Sequence, residues 1–481
     1  MSKQSVVASL AYKFVERLAV KGIGLVVQII LARLLAPEAF GQVAVMMVFI
    51  NLSQNFIQSG FNTALVQNKD VTEIDYSTVY YITTGIALLC NIIIFFAAPF
   101  IGGFYEAPEL VLPLRVFALV LFLGAFNSVQ VARLQKEMRF KETMMCNLIA
   151  TIISGIAGVL CAYAGLGIWA LIIYNGSNVL VSAVCMAIAV KWKPQFVFSI
   201  ARAKILFDFG WKMLISSFLC SLYYDMRSLI IGKRFSTADL AYYDRGQQFP
   251  VIISNTLDNA IQAVMFPALA RVQDNLTKLR ESLRKTIGMG VLIITPMMVG
   301  LAVVAKPLIV LLLTDKWLPA VPYMQFLCIA EISIPVISSN LIAIKAMGKS
   351  GSYMKLEIIR RIMMVVVLIS AVIFFDSVLA IATSTVVIAI LDTIIIMAFM
   401  NKLMDYGIAA QLKDIWRPIL SSLVMGVVVY LVGMISMPTI LLLAVQVFVG
   451  ILAYMGASLV LNRSMVKAML GMVRGLKGKN K

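Results

Sequence analysis

Long apolar windows recur along the whole chain, each bounded by charge clusters, glycine or proline. They fall near residues 12–35, 38–66, 76–101, 111–133, 142–163, 166–190 and 205–231, then near 238–269, 284–312, 321–345, 354–375, 378–401, 415–435 and 439–461. A helix needs about 20 apolar residues to cross a bilayer, so the chain has room for about 14 crossings. The pattern predicts an all-α polytopic membrane protein with no stretch left over for a soluble domain.

The loops between these windows fall into two sets. One carries Lys69, Arg139 and Lys141, then Lys191, Lys193, Arg202 and Lys204; it continues with Arg271, Lys278 and Arg280, Lys345 and Lys349, and Lys402 and Lys413. The other includes FYEAPE at 104–109, AGLG at 164–167, FDS at 375–377 and SMPT at 436–439, none with a positive residue. By the positive-inside rule the first set is cytoplasmic, together with the tail Arg463 to Lys481, so both termini lie inside. Arg33, Lys233, Arg234 and Lys316 fall on the wrong side of this scheme.

The two halves read as a repeat. ILARLLAPEAF at 30–40 aligns with IIGKRFSTADL at 230–240, and GLGIWALI at 165–172 with FDSVLAIA at 375–382. Six spans separate the copies, which gives both halves the same orientation and relates them by a pseudo-two-fold axis along the membrane normal. The expected organisation is two six-helix lobes, 1–200 and 201–405, facing each other across a cleft. Residues 406–481 then hold two C-terminal helices and a basic cytoplasmic tail.

Composition narrows the chemistry. Of 481 residues, 61% are hydrophobic and 13% charged, with a mean hydropathy of +0.95. A soluble domain is nearer a quarter charged. The formal charge of +18 sits in short loop clusters that set topology, so nucleic-acid binding is not expected. The absence of histidine removes imidazole bases, haem ligation and the usual zinc sites. Cys90, Cys146, Cys161, Cys185, Cys220 and Cys328 stand singly in apolar segments, which argues against a disulfide framework or redox role. The start MSKQSVVASLAYKF has no short apolar region with a cleavage site, so no removable signal peptide is expected and the first span should target the chain. Phosphate-loop, paired metal-ligand and nucleophile-elbow motifs are missing, which leaves an enzyme, a metal site and a bound cofactor without support.

Four spans carry polar faces. On a helical wheel Lys13, Arg17, Lys21, Gly24 and Gln28 share one narrow face of the first span. The seventh span repeats the spacing with Lys212, Ser216, Tyr223 and Arg227. Asn51, Gln54, Asn55, Gln58, Ser59 and Asn62 cover about a third of the wheel in the second span. The eighth carries Asp244, Gln248, Asn255, Asp258, Asn259 and Gln262, four of them related to second-span residues by a shift of 200. Charges at mid-membrane cost roughly 2.5–3.5 kcal/mol each, so these faces are expected to line a wet central cleft. Amides and hydroxyls suit sugar hydroxyls, while Arg and Lys suit phosphate oxygens, so an anionic, hydroxyl-rich ligand is the simplest match. The bland alternative is that single amides link helices and that Lys13 and Arg17 snorkel to the interface. Arg227 and Asp225 lie about 160° apart on the wheel, which rules against an intrahelical bridge.

Asp244 and Arg245 form either an outer gate or a local pair. Glu331 reads either as an ion or proton site or as part of a kinked packing helix with Pro335. Pro250, Pro267, Pro296 and Pro335 each free backbone groups and permit bending. Glu357, Arg360 and Arg361 read as a cytoplasmic-edge cluster.

Four segments then carry a family resemblance: RLLAPEAFGQVAV at 33–45, SGFNTALVQ at 59–67, ARLQKEMRF at 132–140 and YDRGQQFPVIISNTLDNAIQAVMFPALARVQDN at 243–275. They resemble the polysaccharide-export branch of the multidrug/oligosaccharidyl-lipid/polysaccharide exporter superfamily. Within it they are most similar to Wzx-type O-antigen and exopolysaccharide flippases of the colanic-acid exporter group. The resemblance implies a V-shaped cavity lined by spans 1, 2, 7 and 8. It also implies an inner-membrane flippase that reorients undecaprenyl-diphosphate-linked repeat units to the periplasmic leaflet by alternating access. By that resemblance Arg17, Lys21, Lys212 and Arg227 would receive the diphosphate, and the amides of spans 2 and 8 the glycan. A glycan polymerase or other assembly protein, and a coupling ion, proton or sodium, are the partners it implies.

Three rivals stay open. A drug or cation antiporter on the same fold would favour a carboxylate-rich cavity, whereas this one has more Lys and Arg than Asp and Glu. A membrane-embedded glycan polymerase or ligase would carry a large outer loop, and no loop here exceeds a dozen or so residues. A non-transporting scaffold would tolerate loss of the cavity charges.

Overall fold

The computed structural model describes the backbone of residues 3–58, 61–68 and 70–463. Side chains of 3–18 and of scattered positions, Lys212, Ser216 and Tyr223 among them, lie outside the described set. The first helices are α1 (Lys3–Leu34), α2 (Pro37–Gln58), α3 (Phe61–Gln67), α4 (Glu73–Phe104), α5 (Val111–Ala118), α6 (Val120–Lys136), α7 (Phe140–Tyr163), α8 (Ile168–Val190) and α9 (Ile200–Arg234). There follow α10 (Thr237–Ala270), α11 (Leu276–Val303), α12 (Ala305–Leu313), α13 (Ala320–Glu331), α14 (Ile334–Ala346), α15 (Ser350–Phe374), α16 (Val378–Met404), α17 (Ile408–Val432) and α18 (Thr439–Leu461). The described residues contain no strand. Among the described residues every apolar window read from the sequence falls mainly on helix, the second on α2 and α3, the fourth on α5 and α6, the ninth on α11 and α12 and the tenth on α13 and α14. The latter break precedes Pro335, which lacks an N–H and is tolerated only in the first turn of α14.

Ten helical stretches among the described residues are long and apolar enough to cross a bilayer, so the chain is a multi-pass membrane protein. Their outward side chains confirm the solvent. Phe96, Phe100, Leu160 and Phe448 are exposed, which water would penalise and acyl chains do not.

Side-chain packing divides the chain into two compact units, Met1–Ala241 and Tyr242–Lys481. The repeat and the packing thus divide it at different points, because α9 packs on α2, α3 and α4. In the first unit α7 lies between α1 and α8, while α6 rests on α4 and α8. Its core gathers Leu65, Tyr76, Val79, Val129, Trp192 and Leu206. In the second, α11 packs on α17, α13 and α14, and α16 on α13 and α15, around Leu283, Ile287, Ile344, Leu356, Met400 and Tyr406.

The segment joining α8 to α9 is strapped along the start of α4. Trp192 Nε1 donates to Glu73 at 2.8 Å, and the N–H groups of Gln195 and Ser199 donate to Ser77 Oγ and Thr78 Oγ1 at 3.0 and 3.2 Å. Arg202 grips Asp75 with two bonds of 2.5 and 2.6 Å and donates to the Asp70 carbonyl at 2.8 Å. The Asp75 side chain is fully buried and accepts also from the Thr72 N–H. A buried carboxylate persists because charged donors satisfy its lone pairs.

At the other end of α4, Lys233 pairs with Glu106 at 3.2 Å and lies over the Phe104 ring. One of the charges on the wrong side of the positive-inside scheme is therefore neutralised locally. Here too α2 meets Thr237, a residue of the same unit: a Cβ added at Gly41 would stand 1.6 Å from the Thr237 carbonyl oxygen. Only glycine fits that approach.

Candidate functional site

The polar residues of α2 stay helical because their side chains bond along the helix. Asn55 donates to the Asn51 carbonyl at 3.0 Å, and Gln58 donates to Gln54. Gln54 itself leans on α6 at Gly124, where an added Cβ would come within 2.6 Å of its amide nitrogen. Asn62 lies on α3 with its amide oxygen buried. Lys21 is exposed on α1 and Gln28 half-buried. The side chains of Lys13 and Arg17 on the same helix lie outside the described residues, as do those of Lys212, Ser216 and Tyr223 on α9. Arg227 is half-buried on α9.

Asn51, Gln54 and Gln58 open onto a cavity of about 400 Å³ inside the first unit. Its remaining polar wall comes from Asn127 of α6, Thr151 of α7 and Tyr174, Asn175 and Asn178 of α8. The structure therefore extends the amide surface of α2 onto helices that the wheel reading had left out. The signal was present: YNGSN at 174–178 is a polar run in an otherwise apolar span.

The second unit arranges its polar groups differently. Asp258 is buried on α10 and accepts from Ser338 of α14 and from Gln262. Glu331, at the end of α13, accepts from Ser254 of α10. Asn259 donates to the Asn255 carbonyl, and both side chains are exposed. Arg245 donates to Gln248 at 2.6 Å and stacks on Trp317 at 5.9 Å, while Gln247 donates to Asp244 at 3.1 Å. Serines on one helix and carboxylates on the next thus tie α10 to α13 and α14.

With this geometry in hand, comparison with known proteins is decisive for the family. The family described as "Polysaccharide biosynthesis protein" matches residues 30–322, more than half of the chain. The chain belongs to this family. Relatives include the teichuronic acid biosynthesis protein TuaB of Bacillus subtilis, 26% identical over 418 residues, 84% of each chain. The succinoglycan biosynthesis transport protein ExoT of Rhizobium meliloti is 23% identical, over 73% of this chain and 71% of its own. The lipopolysaccharide biosynthesis protein WzxC of Escherichia coli is 23% identical over 68% of this chain and 67% of its own. Among solved structures, the lipid II flippase MurJ in an inward closed conformation superposes with a TM-score of 0.74 at 14% identity. That match covers 96% of this chain and 100% of the other. An inward-facing multidrug transporter of the MATE family, at TM-score 0.58 and 17% identity, covers 81% of this chain and 95% of its own. Fold and family agree with the polysaccharide-export resemblance read from the sequence.

One charged group of this polysaccharide biosynthesis protein differs from the sequence expectation. Arg360, read as part of an edge cluster, is buried and pairs through two nitrogens with Asp392 of α16, Nη2 to Oδ2 at 2.7 Å. Glu357 takes its other nitrogen, and Arg361 reaches the same Glu357 at 3.5 Å. A single-helix reading sees the neighbours in sequence and not the carboxylate across the helix interface. Among the described residues no group of three metal-ligating side chains occurs.

Proposed function

We propose that this membrane protein is a flippase that carries undecaprenyl-diphosphate-linked oligosaccharide repeat units from the cytoplasmic to the periplasmic leaflet by alternating access. The product would feed capsule, O-antigen or exopolysaccharide assembly. The observation that carries the reading is a polysaccharide biosynthesis chain whose first unit holds, inside the membrane, a cavity walled by amides. Amides match sugar hydroxyls in donors and acceptors, and cations at Arg17, Lys21, Lys212 and Arg227 would match a diphosphate. The names of ExoT and WzxC, and the flippase title of MurJ, point to the same class of cargo. Transport rather than catalysis, an inner-membrane location and cytoplasmic termini follow from this reading.

The test is reorientation of an undecaprenyl-diphosphate-linked saccharide in proteoliposomes, read with a membrane-impermeant glycosidase. Wild-type activity lost in Arg227→Ala and Arg17→Ala supports flippase and cationic cleft together. Activity that both variants retain keeps the flippase and discards the cleft residues. No wild-type reorientation across several glycans refutes the proposal. The second reading, a cation-coupled drug or metabolite antiporter, is favoured by the buried carboxylate of Asp258 and by the MATE fold likeness. It predicts drug efflux driven by a proton or sodium gradient and no glycan reorientation; Glu331 and the Asp244–Arg245 segment would then be the coupling and gating groups.

A further inference from the structure

We infer that the cavity of the first unit is a subsite for one uncharged, hydroxyl-bearing sugar residue, held by Asn127, Asn175 and Asn178 of α6 and α8. The inference rests on the flippase reading and narrows it: the diphosphate binds elsewhere, and this pocket reads the glycan. The amide groups carry the argument. Asn127 donates to Ser182 Oγ at 3.4 Å, Asn175 to the Leu171 carbonyl at 2.8 Å and Asn178 to Ser154 Oγ at 3.1 Å. Each nitrogen is thus committed to the protein and each amide oxygen is turned away from that bond. The oxygen of Asn127 is buried without a hydrogen-bond partner among the described residues.

A buried amide oxygen without a donor costs about as much as a lost hydrogen bond, and here it lies near the middle of a membrane helix. Such a group gains from a ligand that donates, once the amide turns its oxygen into the cavity. Lipid cannot, since acyl chains have no N–H or O–H. Among the described residues no lining side chain is charged, so a uronate or a phosphate in the pocket would face amide oxygens with no counter-ion from that lining. Sugar hydroxyls supply donors without charge. The volume of about 400 Å³ lies at the small end of ligand sites, so it admits part of an oligosaccharide rather than a whole repeat unit. Gly124 keeps the pocket open on the α6 side by letting Gln54 lie flat.

Saturation-transfer NMR on the full chain in nanodiscs tests this, with methyl glucoside and methyl galactoside as neutral probes and methyl glucuronide as the anionic one. Asn175→Ala removes an amide whose only side-chain hydrogen bond among the described residues is to its own helix, so the fold survives; Asn178→Leu removes the amide at nearly constant volume and leaves Ser154 Oγ its bond to the Thr151 carbonyl. The neutral glycosides are expected to bind, each substitution to weaken them about fivefold, and the glucuronide to give no specific signal. Equal binding of the glucuronide, or neutral binding unchanged in both variants, overturns the subsite. The reorientation assay separates the two claims. Reorientation by wild type with unaltered glycoside binding in the variants leaves the flippase and removes the subsite. Variant-sensitive glycoside binding without reorientation keeps the subsite and removes the flippase.

Discussion

Replacing Arg202 with alanine removes both bonds to Asp75 and the one to the Asp70 carbonyl, and leaves a fully buried carboxylate with Thr72 as its remaining donor. Deleting one partner of a fully buried ion pair costs about 3–5 kcal/mol. The Arg202 side chain is 31% exposed, so water screens part of the interaction and relaxes around the truncated site. A loss of about 2–3 kcal/mol results. For a unit of this size each kcal/mol lowers Tm by about 2–4 °C, which gives a drop of about 4–12 °C. Intrinsic fluorescence in nanodiscs reports it, because Trp192 belongs to the same strap. Arg202→Lys should fall between, since an ammonium cannot grip both carboxylate oxygens in one plane. The double variant Arg202→Ala, Asp75→Ala should recover part of the loss by removing the stranded charge. A drop below about 1 °C for Arg202→Ala would show that the strap does not hold the first unit together.

Gly41→Ala is expected to cost at least about 1–3 kcal/mol because its Cβ would collide with the Thr237 carbonyl, whereas Gly85→Ala, with nothing within 4 Å, should be neutral or stabilising. Thermal unfolding of the two variants side by side decides it, and equal behaviour refutes the contact. Asp392→Ala strands the buried Arg360 and should lower stability by about 3–5 kcal/mol, with Arg360→Met on the same background restoring much of it; monodispersity after heating is the readout. Burial pushes the Glu137 carboxyl up, and the guanidiniums of Arg133 and Arg139 more than reverse this, holding it below its ordinary value. Its contribution is therefore full above the ordinary glutamate range and is lost as pH falls through the depressed value, so Glu137→Gln should flatten the acid limb of Tm against pH below about pH 4.

Helices were legible because a bilayer forces every buried backbone group into an internal hydrogen bond, so apolar length alone locates them. The amide face of α2 was legible for the same reason, since polar side chains in such a span stand out. Partners across helices were not. Glu73 and Trp192 are 119 residues apart, Arg360 and Asp392 32 apart, and nothing in either local pattern names the other. Asn127 escaped because it is one amide in an apolar span, and the YNGSN run that holds Asn178 escaped because only the meeting of α2, α6 and α8 makes a wall of these amides.

The helix α18 has only 11% of its most apolar window buried, and it is tied to its neighbours by few polar bonds, Tyr454 to the Leu292 carbonyl and Asn462 to Ser421 among them. Its missing partner is therefore the lipid itself. During purification the surfactant must stand in for that lipid, and a short alkyl chain leaves Phe448, Ile451, Met455 and Val460 half wetted. The C-terminal helix is where handling damage should begin, and long-chain maltosides or nanodiscs are the media in which the intact fold is best kept.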